Sequence, residues 1–331
     1  MFWLHRFLLK FRFYQYFLDW MKVIYPPGFR PLPLYTVLSF FFEEIREDSL
    51  SNKAASLAYS FLLAIFPGVI FLFTLIPYIH IGNFQQQLLD LLNLILPHTV
   101  YVAFQSTIED IVKHQNVKLL SFGFLSAMVF ATNGVNKLMQ AFNKSSLLIE
   151  SRSYIRRRWV ALKLTVLIAL TLFVAILIMV LSQAIIGFIR FEFNSTGKIW
   201  IYVIMVSRWL IVIVLFFATV SILYRYGPAH KNRWKFLSPG SILATFLAVS
   251  TSILFTWYIN HYAAAAYNKL YGSIGTLIVV MLWLYLNSII ILIGFELNAS
   301  IDLSKRTVKI VKPKFNTFKP KKTDQLNDKN N

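Results

Sequence analysis

The chain's 331 residues are 57% hydrophobic and 14% charged, with a mean hydropathy of +0.60, whereas a soluble domain carries about a quarter charged residues. Apolar runs longer than about 18 residues point to membrane-spanning helices, and the alternating segments of about ten residues that build an outer-membrane barrel are missing. The absence of cysteine excludes disulfides, thiolate zinc sites, iron–sulfur clusters and a cysteine nucleophile, and the net charge of +19 has to be read by where it lies along the chain.

Residues 1–33 open with MFWLHRFLLKFRFYQYFLDWMKV, in which Arg6, Lys10 and Arg12 are spaced among aromatics. No continuous apolar core followed by a small-residue cleavage site is present, so a cleavable signal peptide is not expected. A basic, aromatic helix lying in the membrane interface fits the pattern. Pro26, Pro27, Gly28 and Pro33 break the chain, and a short amphipathic helix is predicted over 34–49. The first span is predicted over 54–79, with Pro67 inside it to remove a backbone donor and kink the helix. The loop 80–118 holds two amphipathic pieces, 84–96 and 99–113. Further spans follow over 119–143, 159–189, 199–224, 238–261 and 273–303. The architecture expected is thus an all-α polytopic membrane protein: an interfacial extension (1–33), a six-helix membrane domain (34–303) and a lysine-rich, disordered tail (304–331).

Between these spans the positive charge alternates. One side of the membrane receives 25 Lys and Arg, the other five, and Lys137, Lys163 and Arg208 fall within spans. Positive residues stay cytoplasmic, so six spans across the plasma membrane with both termini cytoplasmic are expected. Most of the charge then serves orientation and attraction to anionic lipid headgroups at the basic loops. Membrane lipids are the expected partners and nucleic acid is not.

Polar groups within spans are functional candidates by default. Asn133, Asn136, Lys137 and Gln140 share one face of the second span and form a candidate cavity lining; alternatively Lys137 snorkels to the nearby helix end. Gly123, Ala127, Gly134 and Ala141 form a neighbouring small-residue stripe suited to close helix packing. Arg208 lies about 14 Å deep if its helix starts near Ile199, and is interfacial if it starts at Trp209. A guanidinium keeps its charge, so a lipid or substrate phosphate is a fitting partner. In the sixth span Asn287, Gly294 and Asn298 share a face, while Glu296 points the other way, in line with Leu292 and Tyr285. Glu296 is read as one half of a structural ion pair with Lys137, Arg225 or the arginines of the second cytoplasmic loop. The six histidines form no metal-binding pattern, and no P-loop, dinucleotide fingerprint or nucleophile elbow occurs. No catalytic residue, metal site or cofactor is therefore expected.

Four blocks give the chain a resemblance: AASLAYSFLLAIFP (54–67), NGVNKLMQAFN with ESRSYIRRRWVAL (133–162), LYRYGPAHKNRWKFLSPGSILAT (223–245) and YGSIGTLIVVMLWLYLNSIIILIGFELNAS (271–300). Together they resemble the YihY/BrkB family of bacterial inner-membrane proteins, once labelled ribonuclease BN. The resemblance implies six helices in the inner membrane and an envelope setting, some members being linked by name to virulence or to lipid traffic. Nuclease chemistry would need a His/Asp metal cluster that the sequence lacks. The expected function is a transporter-like or lipid-handling envelope protein with an anionic, lipid or phosphate-bearing substrate. A non-transporting scaffold is the alternative, and a ribonuclease a remote one.

Overall fold

The structure is a computed structural model and describes residues 12–29, 32–47, 49–78, 110, 114–143, 151–192, 198–229, 234–259, 261 and 273–307. The amphipathic pieces expected at 84–96 and 99–113 lie outside these residues, apart from Asp110, as does the tail beyond Thr307. Two helices precede the spans, α1 (Arg12–Val23) and α2 (Leu34–Glu47). The spans are α3 (Leu50–Leu75), α4 (Val117–Asn143), α5 (Tyr154–Glu192), α6 (Lys198–Tyr226), α7 (Pro239–Tyr258) and α8 (Ser273–Thr307). All six are long and apolar enough to cross a membrane. Pro67 sits inside a continuous α3. The main departure from expectation is at α5, which begins five residues early and carries Arg156, Arg157 and Arg158 on its first turns rather than in a loop.

Each span packs on its neighbours in sequence, α3 on α4 through to α7 on α8, and α8 closes back onto α3. Lipid chains are as apolar as leucine, so such helices associate through close packing and polar contacts rather than hydrophobic burial. The small-residue stripe of α4 does this against α3. A Cβ on Gly134 would lie 2.9 Å from the Phe61 ring, and one on Gly123 would lie 3.1 Å from the Phe71 backbone. These two contacts run in opposite chain directions, as an antiparallel pair requires.

One hydrophobic cluster draws on all six spans, including Leu57, Phe142, Leu164, Tyr224, Ala244 and Phe295. Its members come from the first turns of α3, α5 and α7 and the last turns of α4, α6 and α8, so the helices converge at one end. That end also carries Lys53, Arg152, Arg156 and Arg225, and is called the basic end below. At its centre Phe142 and Phe295 stack with centroids 4.2 Å apart. Tyr224 stands edge-on to both, at 5.8 and 6.1 Å, and donates its hydroxyl proton to the Ile291 carbonyl at 2.6 Å. Trp234, from the α6–α7 loop, leans on Phe295 at 5.2 Å.

Beside this cluster α7 and α8 meet backbone to backbone. A Cβ on Gly294 would lie 2.6 Å from the Gly240 carbonyl oxygen, and a Cβ on Gly240 would collide with the Gly294 carbonyl. The start of α7 is capped by Ser238 and Ser241, with Pro239 in the first turn. Asn298 completes the cap from α8. Its Oδ1 accepts from the Gly240 N–H at 2.8 Å, one of the donors a helix start leaves open, and its Nδ2 donates to Ser238 Oγ at 2.9 Å. At the same end α2 packs Val37 and Phe41 against Leu297 and Ile301 of α8, together with Phe29 and Leu32. The turn before them uses Gly28 at φ 90°, tight against Pro239. Further out, α1 buries Leu18, Asp19 and Met21, with Asp19 paired to Lys22 at 2.7 Å, and leaves Phe13, Phe17 and Trp20 exposed.

Gly240→Ala is expected to abolish recovery of folded protein in detergent, because the new methyl meets fixed backbone. Asn298→Ala strips an acceptor from a buried N–H, which costs about 1–3 kcal/mol, and is expected to lower the thermal unfolding midpoint. Wild-type midpoints in both variants would show that this seam does not hold the bundle.

Candidate functional site

Burial is uneven around the ring. Only 11% of the apolar window of α5 and 6% of that of α6 is buried, against 22–28% in the other four spans, so this side is the open one. At the basic end the two helices part around a cavity of about 820 Å³. Arg152, Arg156, Val160, Lys163, Leu164 and Leu167 line it from α5 and the residues just before it. Their spacing of three to four residues is one helical face. Ile222, Arg225 and Tyr226 face them from α6, and Pro228, Ala229 and Phe236 close the groove from the loop.

That loop is tied down on two sides. Arg152 Nη2 donates to the Gly227 carbonyl at 2.7 Å, and Asn143, the last residue of α4, accepts from the Ala229 N–H at 3.0 Å. Arg225 lies over the Tyr226 ring with its guanidinium carbon 5.7 Å from the centroid. Its Nε is shut off from solvent with no hydrogen-bond partner among the described residues. The groove has a direction: Arg156 stands about 10.5 Å before Lys163 along the helix, and Leu167 about 6 Å beyond it. It therefore grades from cationic to apolar, and among the described residues no carboxylate lines it.

The opposite face of α5 makes a second, smaller groove with α4, of about 310 Å³. Tyr154, Ile155, Arg158, Trp159 and Leu162 face Met128, Val129 and Thr132 across it. Arg158 donates through Nε to the Tyr154 hydroxyl at 3.1 Å and through Nη1 to Asn133 Oδ1.

The residues singled out from sequence do not converge on one cavity. Asn133 holds Arg158. Asn136 is buried, with its Oδ1 lacking a partner among the described residues. Lys137 is exposed, Gln140 and Arg208 are half-buried, and neither groove is lined by any of these five. Arg208 lies about 27 Å from the basic end of its helix and Lys137 about 9 Å from that of α4, so they sit at different levels. Gly134, Gly294 and Asn298 serve packing and capping, and Asn287 donates to the Trp283 carbonyl of its own helix at 2.9 Å. Glu296 is fully buried on the side of α8 where Tyr285 meets Ser51 of α3 at 2.9 Å.

Sequence reasoning counted Arg152, Arg156 and Arg225 as loop charge and Lys163 as an isolated span residue. The signal was the seven-residue interval from Arg156 to Lys163, which puts both on one face once the helix starts before Arg156. Among the described residues no three His, Cys, Asp or Glu stand close enough to hold a metal ion.

A family described as virulence factor BrkB matches residues 41–315, which include both grooves and the α7–α8 seam. A Bacillus subtilis (strain 168) protein with a ribonuclease-like name, YfkH, is 32% identical over 255 residues, covering 77% of this chain and 91% of that protein. A UPF0761 membrane protein of Haemophilus influenzae (strain 86-028NP) is 24% identical, covering 79% and 93%. One of Stenotrophomonas maltophilia (strain K279a) is also 24% identical, and there the chain spans only 59% of the relative's length. No solved structure matches the chain. With the family match covering most of its length and all six spans, the chain belongs to the BrkB virulence-factor family of membrane proteins.

Proposed function

We propose that this membrane protein binds and moves an anionic amphiphile, a lipid or another phosphate-bearing molecule with an apolar tail, through the groove between α5 and α6. The observation that carries this reading is the set of four cations, Arg152, Arg156, Lys163 and Arg225, around one cavity whose lining has no carboxylate among the described residues. Two like charges about 10 Å apart at an effective dielectric near 20 repel by roughly 1.6 kcal/mol, and a bound anion would offset that repulsion. The unpartnered Nε of Arg225 offers a donor already stripped of water. Leu164, Leu167, Ile222 and Phe236 supply the apolar end that a free inorganic anion would not need.

In this reading the basic end faces the cytoplasm and the protein resides in the plasma membrane, because positive residues stay on the side of synthesis. Asn133 then acts as a positioning residue for Arg158. A nuclease has less support: among the described residues the groove's lining offers no carboxylate or imidazole with which to hold a divalent ion.

The test is binding of short-chain phosphatidic acid to protein purified in a neutral detergent, with phosphatidylcholine and inorganic phosphate as comparisons. Lys163→Ala and Arg225→Ala are each expected to weaken phosphatidic acid binding about tenfold, the scale of one charge-assisted hydrogen bond. Added salt is expected to weaken binding by the wild-type protein. Unchanged affinity in the double variant would overturn the assignment. Binding without movement of fluorescent phosphatidic acid across reconstituted vesicles would leave a scaffold rather than a transporter.

A further inference from the structure

The second groove has a different chemistry. It is apolar along Met128, Val129, Ile155 and Leu162, and carries one charge, Arg158. Two nitrogens of that guanidinium bond to Tyr154 and Asn133, so its orientation is set while no carboxylate among the described residues pairs with it. A carboxylate partner would have cancelled that charge; an amide and a phenol only aim it.

A second, independent feature lies deeper between the helices. Thr132 is 8% exposed and lines the groove, yet its hydroxyl has no hydrogen-bond partner among the described residues. A threonine within a helix ordinarily satisfies itself on the carbonyl one turn back, as Thr165 and Thr171 do on α5. Thr132 thus keeps a donor and acceptor available inside an apolar slot. The walls are exposed on the outer surface of the bundle, Val129 at 57%, Ile155 at 69% and Trp159 at 59%. On a membrane-spanning pair that surface meets lipid, and Trp159 is the residue type that settles at headgroup level.

We infer that the groove between α4 and α5 is a binding site for one anionic glycerophospholipid of the surrounding bilayer, with its phosphodiester on Arg158, an ester oxygen on Thr132 and an acyl chain along Val129, Ile155 and Leu162. Charge balance selects the headgroup. A single guanidinium matches the single negative charge of a phosphodiester. The ammonium of a zwitterionic lipid would find no carboxylate among the lining residues. The volume of about 310 Å³ is at the lower end of the range for small-molecule sites, about 300–1,000 Å³, which admits one chain and leaves the second in the bilayer. This site is separate from the α5–α6 groove and does not rest on the function proposed for it. A lipid seated here would brace the start of α5, the wall that both grooves share.

The experiment uses the full chain in neutral detergent with phosphatidylglycerol bearing a photoreactive diazirine in one acyl chain, followed by peptide mapping. Labelling is expected to concentrate on residues 128–132 and 155–162 and to be weaker with the matching phosphatidylcholine probe. Val129→Trp and Ile155→Trp fill the slot from exposed positions, so folding is preserved, and each is expected to remove most of that labelling. Arg158→Gln is expected to weaken it about tenfold. Labelling spread evenly over the apolar surface, or unchanged in both tryptophan variants, would overturn the site. Peptides from the α5–α6 groove are read in the same digest, which separates failure here from failure of the other groove.

Discussion

The contact between Gly240 and Gly294 sets the geometry on which the rest of the bundle depends. Two backbones in van der Waals contact leave α7 and α8 one relative register at this point, and Asn298 secures it by closing the open end of α7. Phe295 follows Gly294 by one residue, so the same register aims its ring at Phe142 and Tyr224. Ile291, one turn earlier, offers its carbonyl to the Tyr224 hydroxyl. A shift of one residue along α8 would turn each of these groups by about 100° and lose the cap, the stack and the hydroxyl bond together. Inside a membrane this matters more than in water, since apolar burial between helices gives little and close packing with satisfied polar groups must supply the specificity.

Concentrating the packing in this way leaves the other side of the ring free to be open. α5 and α6 meet further along through Thr171 and Thr219, whose hydroxyls lie 3.1 Å apart. At the basic end they are bridged by the Arg152–Gly227 bond and separated by the groove. Four cations around that groove add like-charge repulsion. The α3–α4 and α7–α8 packing carries that burden because it shares no wall with the groove. A rigid frame beside a poorly packed, charged opening is the arrangement expected where a ligand is to enter.

The spans themselves were plain in the sequence, because runs of more than about 18 apolar residues have few other readings, and the small-residue stripe of α4 announced a close helix approach, which is made to α3 at Gly123 and Gly134. The shared face of Gly294 and Asn298 was also readable; its role was not, since that depended on knowing that the start of α7 lies against it. The residues singled out from sequence and those lining the α5–α6 groove differ for a related reason. Asn133, Lys137 and Arg208 stood out as polar residues in apolar surroundings, whereas Arg152, Arg156 and Arg225 sat in a crowd of positive charge with a ready explanation. Which cations share a cavity is a matter of helix pairing, and pairing is non-local. The start of α5 was the one local error that counted. Placing it at Trp159 left the arginines in a loop without faces; placing it at Tyr154 gives each one a direction.

That direction separates what charge does for topology from what it does for binding. An orientation signal needs only a number of positive residues near a span's end, on any face. In α5 and just before it they are sorted: Arg152, Arg156 and Lys163 line the groove with α6, and Arg158 lines the groove with α4. Lys163 goes further, since it stands nine residues into the helix, about 13.5 Å from Tyr154, where a lysine is a burden for a span and adds little as a loop marker. A topological account predicts that such a residue would be replaced by any apolar side chain without loss. Its place on the same face as Arg156, opposite Arg225 and above Leu167, is what supports the proposed path for an anionic headgroup and its tail.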